Sequence, residues 1–271
     1  MAGRRGAGAL RHGLSIPLFG DLAEPSAMLE VARLAEDRGW DGIFPWDHVL
    51  ADEPRPVADV WVVLAAVATV TERVLLGPMV TPLPRRRPQK LAREVVTLDR
   101  LSRGRVVLGL GLGVDHAREL SAFGEVVDAR ERGAMLDEGL EVLDGLLGGG
   151  EVRHRGPHYT ADRVRFLPPA ARPGGVPMWM AARTMAEAPL RRAAGRDGLF
   201  VIERSPQEVA SMLEVVAGVR GGLDGYAVAT MAPGADPAPF VSAGVTWWMT
   251  LPGGGGGLDD VLAAVEQGPP R

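Results

Sequence analysis

Short apolar runs alternate with stretches of helical periodicity along almost the whole chain, and this alternation restricts the fold more than any other feature. Eight runs have the length and character of strands, at 13–19, 42–45, 74–80, 106–110, 177–181, 198–201, 226–231 and 245–250. Eight helical patterns follow them in turn, at 26–38, 57–70, 88–101, 129–147, 186–194, 206–219, 237–242 and 258–266. Strands separated by helices pair in parallel, and continuous apolar strand cores indicate a sheet covered on both faces.

Eight such units within 271 residues predict a (β/α)8 TIM barrel, a single α/β domain, because barrels of this kind need about 250 residues. A doubly wound parallel sheet is the alternative. We assign residues 1–12 to a flexible N-terminal tail and residues 13–271 to the barrel domain. Residues 148–177 are rich in Gly, Pro, His and Arg, which predicts an excursion before the fifth strand with a short hairpin around Gly156-Pro157.

Several classes of protein are excluded or disfavoured by composition. The chain has no cysteine, so disulfides, thiol nucleophiles and Cys-ligated metals are excluded, and its single lysine, Lys90, argues against Schiff-base chemistry. A net charge of -4 and a pI near 5.8 predict no nucleic-acid partner. The chain shows no targeting segment and no run long enough to span a bilayer, so we expect a cytoplasmic protein that binds no membrane.

The end of the second predicted strand carries the most reactive group of side chains, Trp46-Asp47-His48. Strand ends on one side of a barrel converge on the active site, and an imidazole titrates near neutrality and can exchange protons. His48 is therefore a candidate acid or base. A histidine that only caps the next loop is an open alternative, whereas no spacing of histidines and carboxylates favours a metal site.

Three further features have both a functional and a structural interpretation. The segment from Gly109 to Gly113 lacks the full Gly-x-Gly-x-x-Gly pattern, because Val114 occupies the third glycine position. It is either a tight turn or a place where backbone approaches a flat ring. The run Arg85-Arg86-Arg87 is typical of a solvated surface. The tryptophans and methionines near strand ends either pack in the core or line a pocket: Trp179, Met180, Trp247, Trp248 and Met249.

Several blocks resemble one known family. Thr-Glu-Arg at 71–73 runs into the third strand and is followed by Val-Thr-Pro-Leu-Pro-Arg-Arg-Arg-Pro at 80–88. Leu-Asp-Arg-Leu-Ser-Arg-Gly-Arg at 98–105 then precedes Leu-Gly-Leu-Gly at 108–111. These blocks resemble the bacterial-luciferase-like family of oxidoreductases. The resemblance covers nearly the whole chain and is most specific between residues 59 and 113.

The resemblance implies a barrel that binds FMN or the deazaflavin F420 at the carboxyl ends of its strands. It implies that Asp47-His48 matches the strand-end Asp-His of F420-dependent members, which tilts the expectation toward F420. Met79-Val80 falls where the family often has a bulge with a non-prolyl cis peptide behind the ring, and the resemblance implies that Met79, Val80 and Thr81 bind the cofactor. Gly109 and Gly111 would let the ring approach, and the backbone of Ala181, Ala182 and Arg183 would meet the cofactor phosphate.

Two departures from the family pattern stand out. Many members have a polar residue after the fourth strand where this chain has Leu112, and the phosphate segment is often richer in Gly and Ser. The expected activity is hydride transfer or monooxygenation of a small organic substrate. His48 would move the proton, and Asp47 would fix either its tautomer or a neighbouring loop. A flavin-binding protein without turnover, or an unrelated barrel hydrolase or isomerase, is the alternative.

An assembly is also expected. The second predicted helix is apolar around much of its circumference, at Val60, Trp61, Val63, Leu64 and Val67. A helix on the outside of a barrel needs only one apolar face. We therefore predict a homodimer that uses this helix and its neighbour, as the family resemblance also implies.

Overall fold

Strands and helices alternate through residues 9–270, the part of the chain that this computed structural model describes. The strands are β1 (Arg11–Ile16), β2 (Gly42–Pro45), β3 (Leu75–Leu76), β4 (Thr81–Pro82), β5 (Leu108–Gly111), β6 (Glu151–Arg155), β7 (Thr160–Arg165), β8 (Met178–Ala182), β9 (Gly198–Ile202), β10 (Ala227–Met231) and β11 (Trp247–Thr250). The helices are α1 (Pro25–Asp37), α2 (Val60–Val70), α3 (Pro88–Leu101), α4 (Ala129–Leu147), α5 (Glu187–Ala194), α6 (Pro206–Arg220), α7 (Ala238–Ser242) and α8 (Leu258–Glu266). The alternation expected from the sequence is confirmed.

The parallel strands close into a barrel. The order in the sheet is β3-β2-β1-β11-β10-β9-β8-β5-β4, and its two ends, β3 and β4, are two pieces of one barrel strand. Leu76 forms a parallel bridge with Val106, and the N–H of Gly109 donates to the carbonyl oxygen of Pro78 at 3.1 Å. These contacts join the two ends of the sheet. The predicted (β/α)8 fold is therefore confirmed, and the doubly wound alternative is wrong.

The third barrel strand is interrupted, although the sequence predicted one continuous strand over 74–80. Regular pairing stops after Leu76 and resumes at Thr81, and the peptide bond between Met79 and Val80 is cis, as the resemblance implied. A Cβ atom at Gly77 would overlap the carbonyl oxygen of Val107, so a residue without a side chain is required there. The interruption turns Met79 and Val80 toward the mouth of the barrel.

The chain also departs from the predicted boundary at its beginning. Strand β1 starts at Arg11, inside the predicted tail, and its residues pair in parallel with β11 from Arg11↔Trp247 onward. Residues 1–8, which form most of that tail, lie outside the described residues.

The excursion before the fifth barrel strand is confirmed and contains an antiparallel hairpin. Strands β6 and β7 pair with each other and turn at Gly156-Pro157. Glu138 of α4 fastens the hairpin to the barrel: its carboxylate lies 2.9 Å from Nε2 of His154 and accepts the backbone N–H of Tyr159 at 2.8 Å. One carboxylate thus holds β6 and the turn that leads into β7.

Helix α2 packs differently from the sequence prediction. Asp59 caps it by accepting the backbone N–H groups of Trp61 and Val62, each at 2.9 Å. The five apolar residues proposed for a dimer surface are all buried within the protomer: Val60, Trp61, Val63, Leu64 and Val67. Val62 is the large apolar residue that α2 exposes, with 66% of its surface accessible. No helix within residues 9–270 combines the length and the apolar character that crossing a bilayer requires.

Aromatic side chains fill the interior of the barrel. The rings of Trp179 and Trp247 lie 5.3 Å apart, and each is 5.8 Å from the ring of Phe44. Trp248 points outward and packs edge-on against Phe240 of α7. Met180 and Met249 are buried as well. The core interpretation of these strand residues is confirmed, so the open cavity lies above them, nearer the strand ends.

Candidate active site

A cavity of about 330 Å³ opens at the carboxyl ends of the barrel strands, where TIM barrels hold their active sites. Its volume falls in the range of small-ligand pockets. Most of its wall is apolar, with Trp46, Met79, Val80, Leu112, Phe200, Ile202 and Met231. The predicted site residues that line it are Asp47, His48, Met79, Val80, Gly111, Ala181, Ala182 and Arg183.

Two predicted site residues lie behind this wall. Thr81 is fully buried and donates its hydroxyl to Oδ2 of Asp47 at 2.7 Å. Gly109 lies beneath Met79, because a Cβ atom there would come within 2.5 Å of the Met79 sulfur and the Pro78 oxygen. The absence of a side chain at 109 therefore makes room for Met79, which lines the cavity in its place. Neither residue lines the cavity.

Gly111 does take the predicted place on the floor of the cavity. A Cβ atom there would lie 3.1 Å from Cγ2 of Val80 and 3.5 Å from Cβ of Ala181. Val80, Gly111 and Ala181 thus form a shallow surface built from small or compact groups. A planar ring system fits against such a surface, since no long side chain rises from it.

His48 stands at the mouth of the cavity with one ring nitrogen engaged. Its Nδ1 atom lies 2.8 Å from Oε2 of Glu119, and 31% of its side chain is exposed. The rings of Phe19 and Trp46 pack against the imidazole at 5.5 and 5.9 Å. The indole N–H of Trp46 in turn donates to Oγ of Ser15 at 2.8 Å. Because Nδ1 is occupied, Nε2 is the atom that a ligand in the cavity can reach.

Glu119 is the partner that sequence reasoning did not identify. Its side chain is 4% exposed, and its Oε1 accepts the backbone N–H groups of Val49 and Leu50 and the guanidinium of Arg85. Burial by itself raises the pKa of a carboxyl group. The hydrogen bonds from His48 and from the two backbone N–H groups outweigh that effect and lower the pKa of Glu119 to about 2. It is therefore a carboxylate throughout the neutral range.

Asp47 does not contact His48. Its carboxylate accepts the guanidinium of Arg85 at 3.0 Å and that of Arg86 at 2.6 Å, besides the Thr81 hydroxyl. Of the two roles considered for Asp47, fixing the tautomer of His48 is wrong, because Glu119 holds the ring. Asp47 instead ties the segment that follows β2 to the segment that follows β4.

The predicted solvated arginine run is also corrected. The side chains of Arg85 and Arg86 are 8% and 17% exposed and pair with buried carboxylates, whereas Arg87 is exposed as expected. Arg85 bridges Asp47 and Glu119, so the two carboxylates share one cation. A buried carboxylate needs such a counter-charge, because removing it from water is otherwise costly.

The far side of the cavity carries a looser pair of charges. Arg183 follows β8, Glu203 follows β9, and Nη1 of Arg183 donates to Oε2 of Glu203 at 3.2 Å. Both side chains are more than half exposed. Glu203 has a φ of +56°, an uncommon value for a residue with a side chain.

Some of the residues that sequence reasoning missed had a detectable signal. Phe200, Ile202 and Met231 sit on β9 and β10 close to their carboxyl ends, where the barrel rule places lining residues. Glu119 had none, because it lies in the long segment between β5 and α4, outside any strand. Arg85 and Arg86 could be assigned only once their carboxylate partners were located in space.

Known proteins share both sequence and fold with this chain. The F420-dependent glucose-6-phosphate dehydrogenase of Nakamurella multipartita is 32% identical over 179 residues, which cover 64% of this chain and 50% of that protein. The corresponding enzyme of Nocardia farcinica is 34% identical over 183 residues, covering 64% of this chain and 52% of that protein. The chain thus spans about half the length of the curated relatives it matches.

Solved structures agree on the fold. A monooxygenase from Streptomyces bottropensis superposes with a TM-score of 0.77 at 18% identity, over 94% of this chain and 96% of that chain. An F420-dependent secondary alcohol dehydrogenase, solved with an F420-acetone adduct, superposes with a TM-score of 0.73 at 22% identity. The superposition covers 83% of this chain and 69% of that chain. The family model described as luciferase-like monooxygenase matches residues 5–233. The chain therefore belongs to the luciferase-like monooxygenase family.

Proposed function

We propose that this protein is an oxidoreductase that uses F420 or FMN, with F420 preferred, to move a hydride to or from a small organic substrate. The observation that carries the proposal is His48, held by Glu119 at the rim of an apolar cavity whose floor is Val80, Gly111 and Ala181. The curated relatives named as F420-dependent dehydrogenases support the choice of F420. Monooxygenation is the alternative reaction if the cofactor is FMN.

The cavity fits a flavin-like ring. Met79 and Val80 would support one face of the ring, and Gly111 would let it lie close to β5. The backbone at Ala181, Ala182 and Arg183 would receive the cofactor phosphate. The bound cofactor would supply the hydride chemistry, and the protein would supply placement.

The residues of the chain itself handle the proton. When an alcohol group is oxidised, its carbon loses a hydride to the cofactor and its oxygen loses a proton, which leaves a carbonyl. Nε2 of His48 would accept that proton, because Nδ1 is held by Glu119. The carboxylate of Glu119 would keep its contact with Nδ1 of His48 while Nε2 carries the proton. In the reverse reaction the same nitrogen would return the proton.

Cofactor titrations test the proposal. F420 and FMN are added separately to the purified protein, and binding is followed by their fluorescence and visible absorbance. Tight binding of F420 is expected, whereas tight binding of FMN alone would overturn the preference. Binding of neither cofactor would favour the unrelated hydrolase or isomerase. Binding without turnover on any alcohol or carbonyl substrate would favour a flavin-binding protein.

We also propose a homodimer through α2 and the neighbouring α3. The support is Val62, the large apolar residue that α2 exposes, together with the family resemblance. Sedimentation of the wild type and of Val62→Asp compares the two states directly. The wild type is expected to sediment as a dimer and Val62→Asp as a monomer. A monomeric wild type would refute the proposal. The cytoplasmic location and the absence of nucleic-acid partners stay predictions.

A further inference from the structure

We infer that the substrate is an uncharged and largely apolar molecule, so that the protein does not accept a sugar phosphate of the kind named for its curated relatives. The inference rests on the proposed function, because it concerns the substrate of that same cavity. It follows from which charges face the cavity and from how each of them is already paired.

The charges near His48 are neutralised within the protein. Asp47 and Glu119 are both buried, and they are paired with Arg85 and Arg86. Arg85 makes three hydrogen bonds to these two residues, two to Asp47 and one to Glu119. Its guanidinium is thereby fixed behind the wall. It is not available to a ligand unless the buried carboxylates lose their counter-charge.

The one further cation that the described residues bring to the cavity, Arg183, is already paired. Arg183 is the one lysine or arginine among the described residues that line the cavity, and it donates to Glu203. It also lies in the segment assigned to the cofactor phosphate. The single lysine of the sequence, Lys90, is on α3, where its exposed amine pairs with Glu94. Among the described residues that line the cavity, no lysine or arginine therefore remains for a phosphate on the substrate.

A phosphate dianion needs such cations. Buried or half-buried phosphates are held by arginine forks or lysines, because an unpaired charge loses its hydration without compensation. In this cavity the unpaired dianion would instead face the carboxylate of Glu203. Discrimination against a charged substrate follows from this arrangement alone.

Part of the cavity wall is suited to hydrocarbon. Leu112 and Val114, which follow β5, line the cavity together with Pro82 and Met231, and all four side chains are apolar. The site therefore suits a substrate that places an alcohol or carbonyl group near His48. The rest of such a substrate would be apolar and would lie against these side chains.

A homologous series of neutral alcohols tests the inference. The protein, with and without bound F420, is titrated with 2-propanol, 2-butanol and 2-pentanol, and separately with glucose 6-phosphate. Quenching of the Trp46 fluorescence, identified by comparison with Trp46→Phe, reports binding. Each added CH₂ group is expected to lower the Kd about fourfold until the cavity is full. Glucose 6-phosphate is expected to show no saturable binding.

Two variants show whether Leu112 is responsible for the dependence of the Kd on alcohol length. Leu112→Asn is expected to reduce the gain in affinity per CH₂ group, whereas Val219→Asn, at an exposed position on α6, is expected to leave that gain unchanged. A Kd that does not depend on alcohol length would overturn the inference. Saturable binding of glucose 6-phosphate that weakens with added salt would do the same. Failure to bind either cofactor counts against the oxidoreductase, and the alcohol series on the cofactor-free protein still decides the substrate class.

Discussion

The Nδ1 atom of His48 lies 2.8 Å from Oε2 of Glu119, a residue 71 positions further along the chain. The histidine comes from the end of β2, whereas the glutamate comes from the segment after β5. A carboxylate that holds one nitrogen of an imidazole fixes the tautomer and leaves the other nitrogen for chemistry.

Replacing His48 with alanine should lower the rate of cofactor reduction by about 10²–10⁴-fold, the usual contribution of a positioned acid or base. Stopped-flow reduction of F420 measures the rate, and thermal melting checks the fold. His116→Ala is the matched control, because that histidine is also near the mouth but is largely exposed. An unchanged rate in His48→Ala would show that the residue takes no part in proton transfer.

Replacing Glu119 with glutamine should destabilise the protein in a pH-dependent way. The folded-state pKa of Glu119 is lowered to about 2 from 4.5, so between these values the unfolded chain binds more protons than the folded one. The stabilisation by Glu119 is complete above pH 4.5 and declines as the pH falls toward 2. Urea unfolding at pH 7, 5, 4 and 3 should therefore show that the difference in unfolding free energy between wild type and variant becomes smaller at low pH. A difference that does not depend on pH would contradict this account. The control is Glu53→Gln, because Glu53 is exposed.

Replacing Asp47 with asparagine should cost about 3–5 kcal/mol of unfolding free energy, the usual effect of removing one partner from a buried ion pair. Arg85 and Arg86 would remain at low exposure without that carboxylate. Urea denaturation at pH 7 measures the loss. Asp162→Asn, in an exposed pair with Arg163, should cost less than about 1 kcal/mol. Equal losses for the two variants would mean that Asp47 is not a structural anchor.

Replacing Gly109 with alanine should destabilise the barrel by about 1–3 kcal/mol, as overpacking of a core does. The new methyl group would press on the Met79 sulfur and the Pro78 oxygen from 2.5 Å. Since Met79 lines the cavity, cofactor affinity should fall as well. Gly150→Ala, where a Cβ atom meets nothing within 4 Å, is the control for thermal melts and cofactor titration. If Gly109→Ala has the melting temperature and the cofactor affinity of the wild type, Gly109 is not closely packed against Met79 and Pro78.

The sequence was sufficient for the fold because each element carries its own local pattern. Helices such as α4, with its Asp128 cap, and apolar strands such as β9 are visible without any knowledge of their neighbours. The apolar pattern alone did not show the break in the third strand, because the residues from Gly77 to Val80 are as apolar as a regular strand, and only the family resemblance indicated a bulge there. The backbone of Val107, which approaches Gly77 in space, shows why position 77 carries no side chain.

The candidate site was predictable at strand ends and unpredictable between them. Asp47 and His48 line the cavity, as expected for residues at the carboxyl end of a barrel strand. The residues that pair with them were not predicted. Glu119 and Arg85 reach them from other loops, and the pairing of charges across loops depends on three-dimensional geometry that no local pattern encodes. The arginine run therefore resembled an ordinary solvated surface until its buried carboxylates were found.

The two sides of the cavity differ in how firmly the protein holds them. On the β2 side, buried charges brace the loops against one another, and breaking that bracing costs several kcal/mol. On the side of β8 and β9, the rim is closed by the exposed pair of Arg183 and Glu203, which is worth less than about 1 kcal/mol. Separating the charges beside β8 and β9 therefore costs less free energy than separating those beside β2. The cavity is thus stiffer around His48 than at the ends of β8 and β9.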